Sequence, residues 1–250
     1  TGKEYINMPA IWEYDSLPGT TALTEDDETL KTVHGTGVFN NRILENGIFD
    51  LGNPIVIKPT GEKAGQDLSV VVNMGQTVHE GIKYTVTCFA TNDGMVLLGA
   101  GLEDAAGNPL HTTVEQCACA GKPMTMENDK VVQRGKVVYR SLTDNKFTVE
   151  YGSKEGNWKR NNDAYNLKAE ENVLKIYYPK VTSYAYSIQP IGHAKQIFKV
   201  VANNEGFQAI ELPNGNLVAA FYQKTDSFEY EGKTYTGGLP GTMRLYQKQK

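Results

Sequence analysis

The feature that most constrains the fold is the regular alternation of short apolar runs with turn-forming residues. It is clearest at residues 81–102, GIKYTVTCFATNDGMVLLGAGL, where two runs rich in β-branched and aromatic residues flank Asn92-Asp93-Gly94. An Asn-Asp-Gly break between such runs is typical of a β-hairpin. Comparable units recur along the chain as LSVVVNMG, KVVYRSLTDNKFTVEYGS, VLKIYYPKVTSYAYSIQP, QIFKVVANNEGFQAIELPNGNLVAAFYQ and SFEYEGKTYTGGL. The pattern predicts strands joined by tight turns.

Helix signals are weak by comparison. The segment NDAYNLKAEENVLK, residues 162–175, could form a helical turn, but its asparagines and its short length favour a loop. With 250 residues, of which 40% are hydrophobic, the chain can bury a large core. We therefore predict an all-β protein, a large antiparallel β-sandwich that forms a single domain over residues 1–250.

Charge, hydropathy and cysteine content narrow the class of protein. The formal net charge of −4 argues against a nucleic-acid-binding protein that works through bulk positive charge. No apolar run approaches the roughly 20 residues that a membrane-spanning helix needs. Cys88, Cys117 and Cys119 lack a second donor pair at metal-binding spacing, so we expect them to be buried structural thiols.

Motifs of common enzyme classes are not found in the sequence. The four histidines lie far apart, without the close pairing that a zinc site requires. No Gly-x-Ser-x-Gly nucleophile elbow is present. The glycine pairs in Gly35-Thr36-Gly37 and Gly99-Ala100-Gly101 lack the rest of a dinucleotide-binding fingerprint. We assign no catalytic residue within this chain.

A resemblance to a known family begins at residues 5–21, YINMPAIWEYDSLPGTT. This segment resembles the Trp-x-Trp-Asp-x-x-x-Pro-Gly-Thr-Thr segment of the family-eight polysaccharide lyases, which cleave chondroitin, hyaluronan and related glycosaminoglycans. Further segments resemble the same family in the same order, namely MVLLGAGLED, LHTTVEQC, YGSKEGNWKRNN and TSYAYSIQP, with NLVAAFYQ continuing the pattern. The resemblance covers the central β-supersandwich portion of such an enzyme.

The resemblance implies a function that this chain does not carry alone. In the family an α/α toroid of helices precedes the supersandwich, and the Asn, His, Tyr and Arg of the β-elimination reaction lie on the toroid. We therefore expect an N-terminal helical catalytic domain as partner, an acidic polysaccharide as substrate, and no activity from these 250 residues by themselves. The resemblance also implies a secreted, periplasmic or cell-surface protein.

The acidic residues near the Pro-Gly turn suggest a structural calcium ion, which some relatives bind in this region. Glu13 and Asp15 flank Tyr14, and their i, i+2 spacing points both carboxylates to one side of an extended segment. The turn would bring Glu25 back toward them, although Thr24 stands where the spacing would place an acid. Calcium prefers such oxygen ligands. The alternative interpretation is a solvated acidic turn.

The segment KTVHGTGVFNNRI follows the acidic residues, and the resemblance places it near the substrate cleft. His34, Asn40, Asn41 and Arg42 are the candidate substrate-binding residues. Arg42 could hold a uronate or sulfate group through two hydrogen bonds, and the asparagine amides suit sugar hydroxyls. The alternative is a loop whose polar groups cap strand ends.

Two functions of different class remain open on the sequence. One is the β-sandwich portion of a polysaccharide lyase, whose catalytic residues lie in the helical domain. The other is a non-catalytic carbohydrate-binding or cell-surface module. The identity of the glycan and the oligomeric state are not determined by the sequence.

Overall fold

The computed structural model describes residues 3–13, 16–23, 55–57, 70–79 and 82–248. Within them lie one α-helix, α1 (Met8–Ile11), and 3-10 turns at Lys3–Tyr5, Trp158–Arg160 and Ile191–His193. The first strands are β1 Thr21–Leu23, β2 Ile55–Ile57, β3 Val70–His79, β4 Ile82–Thr91, β5 Gly94–Asp104, β6 Leu110–Ala118, β7 Met124–Met126, β8 Val131–Arg134 and β9 Val137–Ser141. The remaining strands are β10 Thr148–Asn157, β11 Lys168–Tyr178, β12 Tyr184–Pro190, β13 Lys199–Asn203, β14 Phe207–Glu211, β15 Leu217–Phe221, β16 Ser227–Tyr230, β17 Lys233–Thr236 and β18 Thr242–Tyr246.

The all-β prediction is confirmed, and the predicted hairpin is present, with β4 ending at Thr91 and β5 beginning at Gly94. Gly94 has a positive φ of 140°, and a Cβ there would lie 2.5 Å from the carbonyl oxygen of Ile188. Only glycine fits that position without strain. Within the described residues no helix has the length and apolar character needed to cross a membrane.

The chain divides into two compact units that interleave in sequence. Unit 1 comprises Thr1–Asp50, Asp104–Gly135 and Asn145–Val181, and unit 2 comprises Leu51–Glu103, Lys136–Asp144 and Thr182–Lys250. The assignment of a single domain to residues 1–250 stays a prediction.

Unit 1 contains an antiparallel sheet in the order β1-β6-β11-β10. Helix α1 packs on one face of this sheet, where Met8 and Ile11 form a buried cluster with Ala169 and Val173. The helix approaches closely because Gly156 has no side chain, and a Cβ there would lie 1.9 Å from the carbonyl oxygen of Ala10. A small residue on β10 therefore determines where the N-terminal helix sits.

The loop predicted for residues 162–175 is wrong in its second half, because Lys168–Tyr178 forms strand β11. Ala169 and Val173 point toward helix α1, whereas Leu174 and Ile176 are fully buried on the opposite face. The strand was not recognised because it is buried on both faces, and its sequence therefore lacks the regular alternation of apolar and polar residues that is typical of a half-buried strand.

Unit 2 contains a sheet with strands in the order β2-β3-β4-β5-β12-β9 and a second antiparallel sheet in the order β13-β14-β15-β18. Apolar side chains of both sheets form one core, to which Phe89, Leu98, Ile210 and Val218 contribute. This is the face-to-face packing of a β-sandwich.

Strand β15 contributes side chains to two hydrophobic cores in unit 2. Val218 and Ala220 face the first core, while Leu217, Ala219 and Phe221 join a cluster with Phe228 of the β16-β17 hairpin. The second sheet is thus covered on both faces, which is why residues 217–221 read as an unbroken apolar run.

The predicted burial of the cysteines is confirmed for Cys88 and Cys117 and is wrong for Cys119, which is half-buried beyond the end of β6. Burial raises the pKa of the Cys88 thiol to about 11. Burial, together with the nearby charge of Glu115, also raises the pKa of Cys117. Both buried thiols therefore stay protonated and unreactive at neutral pH.

Candidate functional site

The segment that follows helix α1 is bound to strand β6 by the side chain of Gln116. The Gln116 amide oxygen accepts a hydrogen bond from the Glu13 backbone N–H at 2.9 Å. Its Nε2 donates to the carbonyl oxygens of Glu13 at 3.1 Å and Ser16 at 2.6 Å. Trp12 completes the contact, since its Nε1 donates to the Gln116 carbonyl oxygen at 3.2 Å. One buried glutamine thus satisfies the backbone of an irregular segment.

The Pro-Gly-Thr-Thr turn is held by the same strand. Gly19 N–H donates to the carbonyl oxygen of Thr113 at 2.8 Å, and Thr113 N–H donates to that of Thr20 at 2.9 Å. The hydroxyls of Thr21 and Thr112 lie 2.8 Å apart, and both side chains are buried. The two threonine pairs and Gln116 of the family-like segments therefore have a structural role in joining the N-terminal segment to β6.

Both carboxylate oxygens of Glu13 are bound by lysine side chains. Its Oε1 accepts a hydrogen bond from the Lys154 ammonium on β10, and its Oε2 accepts one from Lys175 on β11 at 2.6 Å. Burial raises the pKa of Glu13, but the hydrogen bonds and charges of the two lysines outweigh that effect and leave the pKa below its ordinary value. The carboxylate is therefore ionised and already neutralised by two cations.

Glu13 is the one member of the predicted calcium set that lies within the described residues, since Asp15 and Glu25 lie outside them. Ammonium groups bind both of its oxygens, and its role as a calcium ligand stays a prediction. Within the described ranges no group of three His, Cys, Asp or Glu side chains is arranged to hold a metal ion.

The predicted substrate-binding residues His34, Asn40, Asn41 and Arg42 also lie outside the described residues. Their role stays a prediction.

A polar network beside Glu13 extends along the same sheet. The Lys175 ammonium lies 4.9 Å from the centre of the Tyr177 ring, and the Tyr177 hydroxyl donates to Glu150 Oε1 at 2.8 Å. Burial and the hydrogen bond to Glu150 raise the pKa of Tyr177 to about 12. Tyr177 is therefore a protonated hydrogen-bond donor at neutral pH.

A second network buries the side chain of Glu115. The Tyr5 hydroxyl donates to its two carboxylate oxygens at 3.0 and 3.1 Å, and Arg134 Nη2 lies 3.7 Å from Oε2. Burial and the charge of Glu115 raise the pKa of Tyr5. Sequence reasoning missed this network and the lysine partners of Glu13, because Tyr5 is 110 residues from Glu115 and the lysines are 141 and 162 residues from Glu13. Strand β6 offers no local signal of which cation will meet its acidic residue, Glu115.

In unit 2 the side chains of His193 and Asp93 meet, with Nδ1 and Oδ1 2.8 Å apart. The buried Gln189 links the two segments, since its Nε2 donates to the carbonyl oxygen of Asp93 at 3.4 Å and to those of His193 at 3.1 Å and Gln196 at 2.8 Å. The pair therefore joins the β4-β5 turn to the 3-10 turn after β12.

Comparison with known proteins identifies the fold. Residues 63–200 match the model of the polysaccharide lyase family 8 super-sandwich domain. No curated protein sequence gives a match. The solved structures to which the chain is similar include a chondroitinase AC lyase studied as enzyme-oligosaccharide complexes, at 18% identity and a TM-score of 0.69 over 98% of this chain. They also include a chondroitin AC lyase of Streptomyces coelicolor A3, at 17% identity and a TM-score of 0.68 over 99% of this chain.

A xanthan lyase of Paenibacillus is similar as well, at 16% identity and a TM-score of 0.64 over 96% of this chain. The chain spans 38%, 33% and 25% of the lengths of these three proteins. The predicted resemblance is confirmed, since the family match covers more than half of the chain and the solved structures share its fold. The chain belongs to polysaccharide lyase family 8, of which it carries the super-sandwich domain.

Proposed function

We propose that this chain is the β-sandwich portion of a lyase that cleaves an acidic polysaccharide, such as chondroitin or hyaluronan, by β-elimination. The observation that carries the proposal is the match of residues 63–200 to the family's super-sandwich domain. Further support comes from the solved structures of similar fold, which are lyases of chondroitin and of xanthan. Both of those polysaccharides are acidic.

The chemistry requires three groups at the scissile bond. A base removes the proton from C5 of the uronate, cationic or hydrogen-bonding groups neutralise its carboxylate, and an acid protonates the leaving oxygen. We assign this set to a helical domain preceding the sandwich. The sandwich contributes substrate contacts, for which Arg42, His34, Asn40 and Asn41 are the candidates. Because the substrate is an extracellular polymer, the proposal includes secretion or a cell-surface location.

The proposal is tested by the ultraviolet absorbance of unsaturated uronate released from chondroitin sulfate. The full-length protein should release this product, whereas residues 1–250 alone should release none. In the full-length protein Arg42→Gln should lower kcat/KM by about tenfold or more through the lost charge-assisted bonds. Lys136→Gln is the matched control, since Lys136 is exposed in the β8-β9 turn and the charge change is the same.

Product released by the isolated chain would overturn the assignment of catalysis to another domain. A full-length protein that binds chondroitin sulfate but releases no product would instead favour a non-catalytic carbohydrate-binding module.

A structural calcium ion held by Asp15 and Glu25, together with Glu13, also remains a proposal. The acidic composition of the loop supports it, because calcium prefers carboxylate oxygens. The two lysines at Glu13 weigh against a direct bond from that residue, since calcium would have to displace both ammonium groups.

Thermal melts in calcium and in chelator distinguish the role of Asp15 from that of Glu13. A calcium ion that binds only the folded state adds roughly 2.7 kcal/mol at one hundred times its dissociation constant, and Asp15→Asn should remove that gain. Glu13→Gln should lower the melting midpoint in both solutions through the lost lysine contacts, and a larger loss in calcium than in chelator would measure a direct bond from Glu13 to the ion. Equal midpoints of the unmodified protein in calcium and in chelator would rule out the ion.

A further inference from the structure

A concave groove in unit 2 has features of a ligand site. Its volume is about 760 Å³, and it lies among residues of the β16-β17 hairpin, the end of β14, and strand β18 with the residues that follow it. A volume of this size is within the range of sites that hold several rings of a ligand.

One wall of the groove is aromatic and held in place. Tyr235 stacks on Phe228, with ring centres 5.3 Å apart and planes at 15°, and Tyr246 meets Tyr235 edge-on at 5.3 Å. The Tyr246 hydroxyl donates to the Thr236 carbonyl oxygen at 2.5 Å, and the Tyr230 hydroxyl donates to Glu211 Oε2 at 2.7 Å. Because packing and hydrogen bonds fix these rings, a ligand that packs against them loses little additional side-chain freedom on binding.

The groove carries cations without partners. Lys233, Arg244 and Lys248 are exposed and line it. No carboxylate of the described residues lies within ion-pairing distance of these three side chains. The chain has more acidic than basic residues, with a net charge of −4, yet three cations without an ion-pair partner lie at this one groove.

The two acids of the groove are already engaged. Glu211 is paired with Lys199 at 3.1 Å and accepts the Tyr230 hydroxyl, and Glu231 lies 3.5 Å from the same lysine. The charge of Lys248 helps to lower the pKa of Glu211, but neither acid lies within ion-pairing distance of Lys233 or Arg244. The free charge of the groove is therefore positive, which attracts anionic ligands.

We propose that this groove binds a short stretch of acidic polysaccharide, with sugar carboxylate or sulfate groups at Arg244 and Lys233 and a pyranose ring against Tyr235. Arginine suits such oxyanions because its planar fork donates two parallel hydrogen bonds. The flat C–H face of a sugar ring packs on an aromatic ring in the same way as other apolar surfaces. The choice of a polysaccharide among anions rests on the proposed function.

The test is the affinity of the 250-residue chain for chondroitin sulfate oligosaccharides, measured by titration calorimetry at two salt concentrations. The double variant Lys233→Gln/Arg244→Gln should bind about tenfold or more weakly and with a smaller salt dependence, because two charge-assisted contacts are lost. Tyr235→Ala should weaken binding without changing the salt dependence. The control Lys136→Gln/Lys168→Gln removes the same charge from exposed positions outside the groove and should leave the affinity unchanged.

Three results would overturn the groove site. They are unchanged affinity of the groove double variant, equal losses in the groove and control variants, and no binding of chondroitin sulfate by the unmodified chain. Melting midpoints of the variants verify that each is folded.

The groove and the proposed function can fail separately. Affinity that falls with Arg42→Gln but not with the groove variants would overturn the groove and leave the proposed function. Affinity that falls with the groove variants, in a protein whose full-length form releases no product, would leave the groove and overturn the lyase assignment.

Discussion

Lysine and arginine side chains have different roles in two regions of this chain, the N-terminal segment of unit 1 and the groove of unit 2. In unit 1, Lys154 and Lys175 converge on the single carboxylate of Glu13 and bind the N-terminal segment to the sheet. In unit 2, Lys233 and Arg244 have no carboxylate partner among the described residues and line an open groove. The family-like motif near the chain start therefore stabilises the fold, whereas the groove, which contains no such motif, presents unpaired positive charge.

The two regions also differ in what holds them together. The N-terminal segment depends on directional contacts, above all the hydrogen bonds of Gln116 and the ion pairs of Glu13. The β16-β17 hairpin depends on an aromatic cluster centred on Phe228. Buried apolar area contributes more free energy than a few polar contacts, so the two regions should respond unequally to substitution.

The largest effect is expected for Phe228→Ala. Phe228 is 8% exposed and contacts Phe207, Tyr235 and Tyr246 at ring distances of 5.3 to 5.7 Å. The substitution should lower the free energy of unfolding by about 3–5 kcal/mol through lost burial and the cavity left behind. Denaturant unfolding measures it, with Phe228→Leu as the milder control. A loss below about 1 kcal/mol would show that the hairpin is not held by this cluster.

An intermediate effect is expected for Gln116→Ala. The change removes both donors and the acceptor that satisfy the Glu13 and Ser16 backbone, and should cost about 2–3 kcal/mol of unfolding free energy. Fluorescence of Trp12 should shift to the red as the segment loosens. Gln133→Ala is the control, because Gln133 makes one exposed bond to Gly135. Equal losses of unfolding free energy in the two variants would show that Gln116 stabilises the N-terminal segment no more than a surface glutamine does.

The smallest effect is expected for Glu13→Gln, about 1 kcal/mol at neutral pH, since the ion pairs are partly exposed to solvent. The folded-state pKa of Glu13 lies below the ordinary value of 4.5. The stabilisation is therefore fully present above that value and disappears as the pH falls through the depressed folded-state pKa.

The gap in unfolding free energy between the unmodified protein and Glu13→Gln should accordingly close on acidification. Unfolding curves recorded at a series of pH values measure it. Glu155→Gln, on the exposed side of β10, serves as the control and should show no gap at any pH. A gap that widens in acid would mean that the lysines do not hold the carboxylate in its charged form.

Local pattern was sufficient for a large part of the fold. The hairpin at Asn92-Asp93 follows from turn chemistry and from flanking apolar runs, and both are properties of neighbouring residues. The first part of strand β11 was missed because Ala169 is explained only by helix α1 packing over it, whereas the part from Val173 onward lies in the predicted strand unit VLKIYYPKVTSYAYSIQP. Where the formation of a strand depends on packing against a distant element, the neighbouring residues in the sequence do not predict it.

The candidate sites show the same difference between properties of neighbouring residues and contacts of distant residues. The amino-acid sequence was sufficient to predict the all-β class, the strand and turn periodicity and the family resemblance, because each depends on residues that are close along the chain. The contacts of Glu13 with Lys154 and Lys175, which are 141 and 162 residues away, are visible only in the folded structure. Only the tertiary structure gathered Tyr230, Tyr235 and Tyr246 from three strands beside unpaired cations. The physical reason is that strand register and sheet packing, not local propensity, select which distant side chains come within hydrogen-bonding distance.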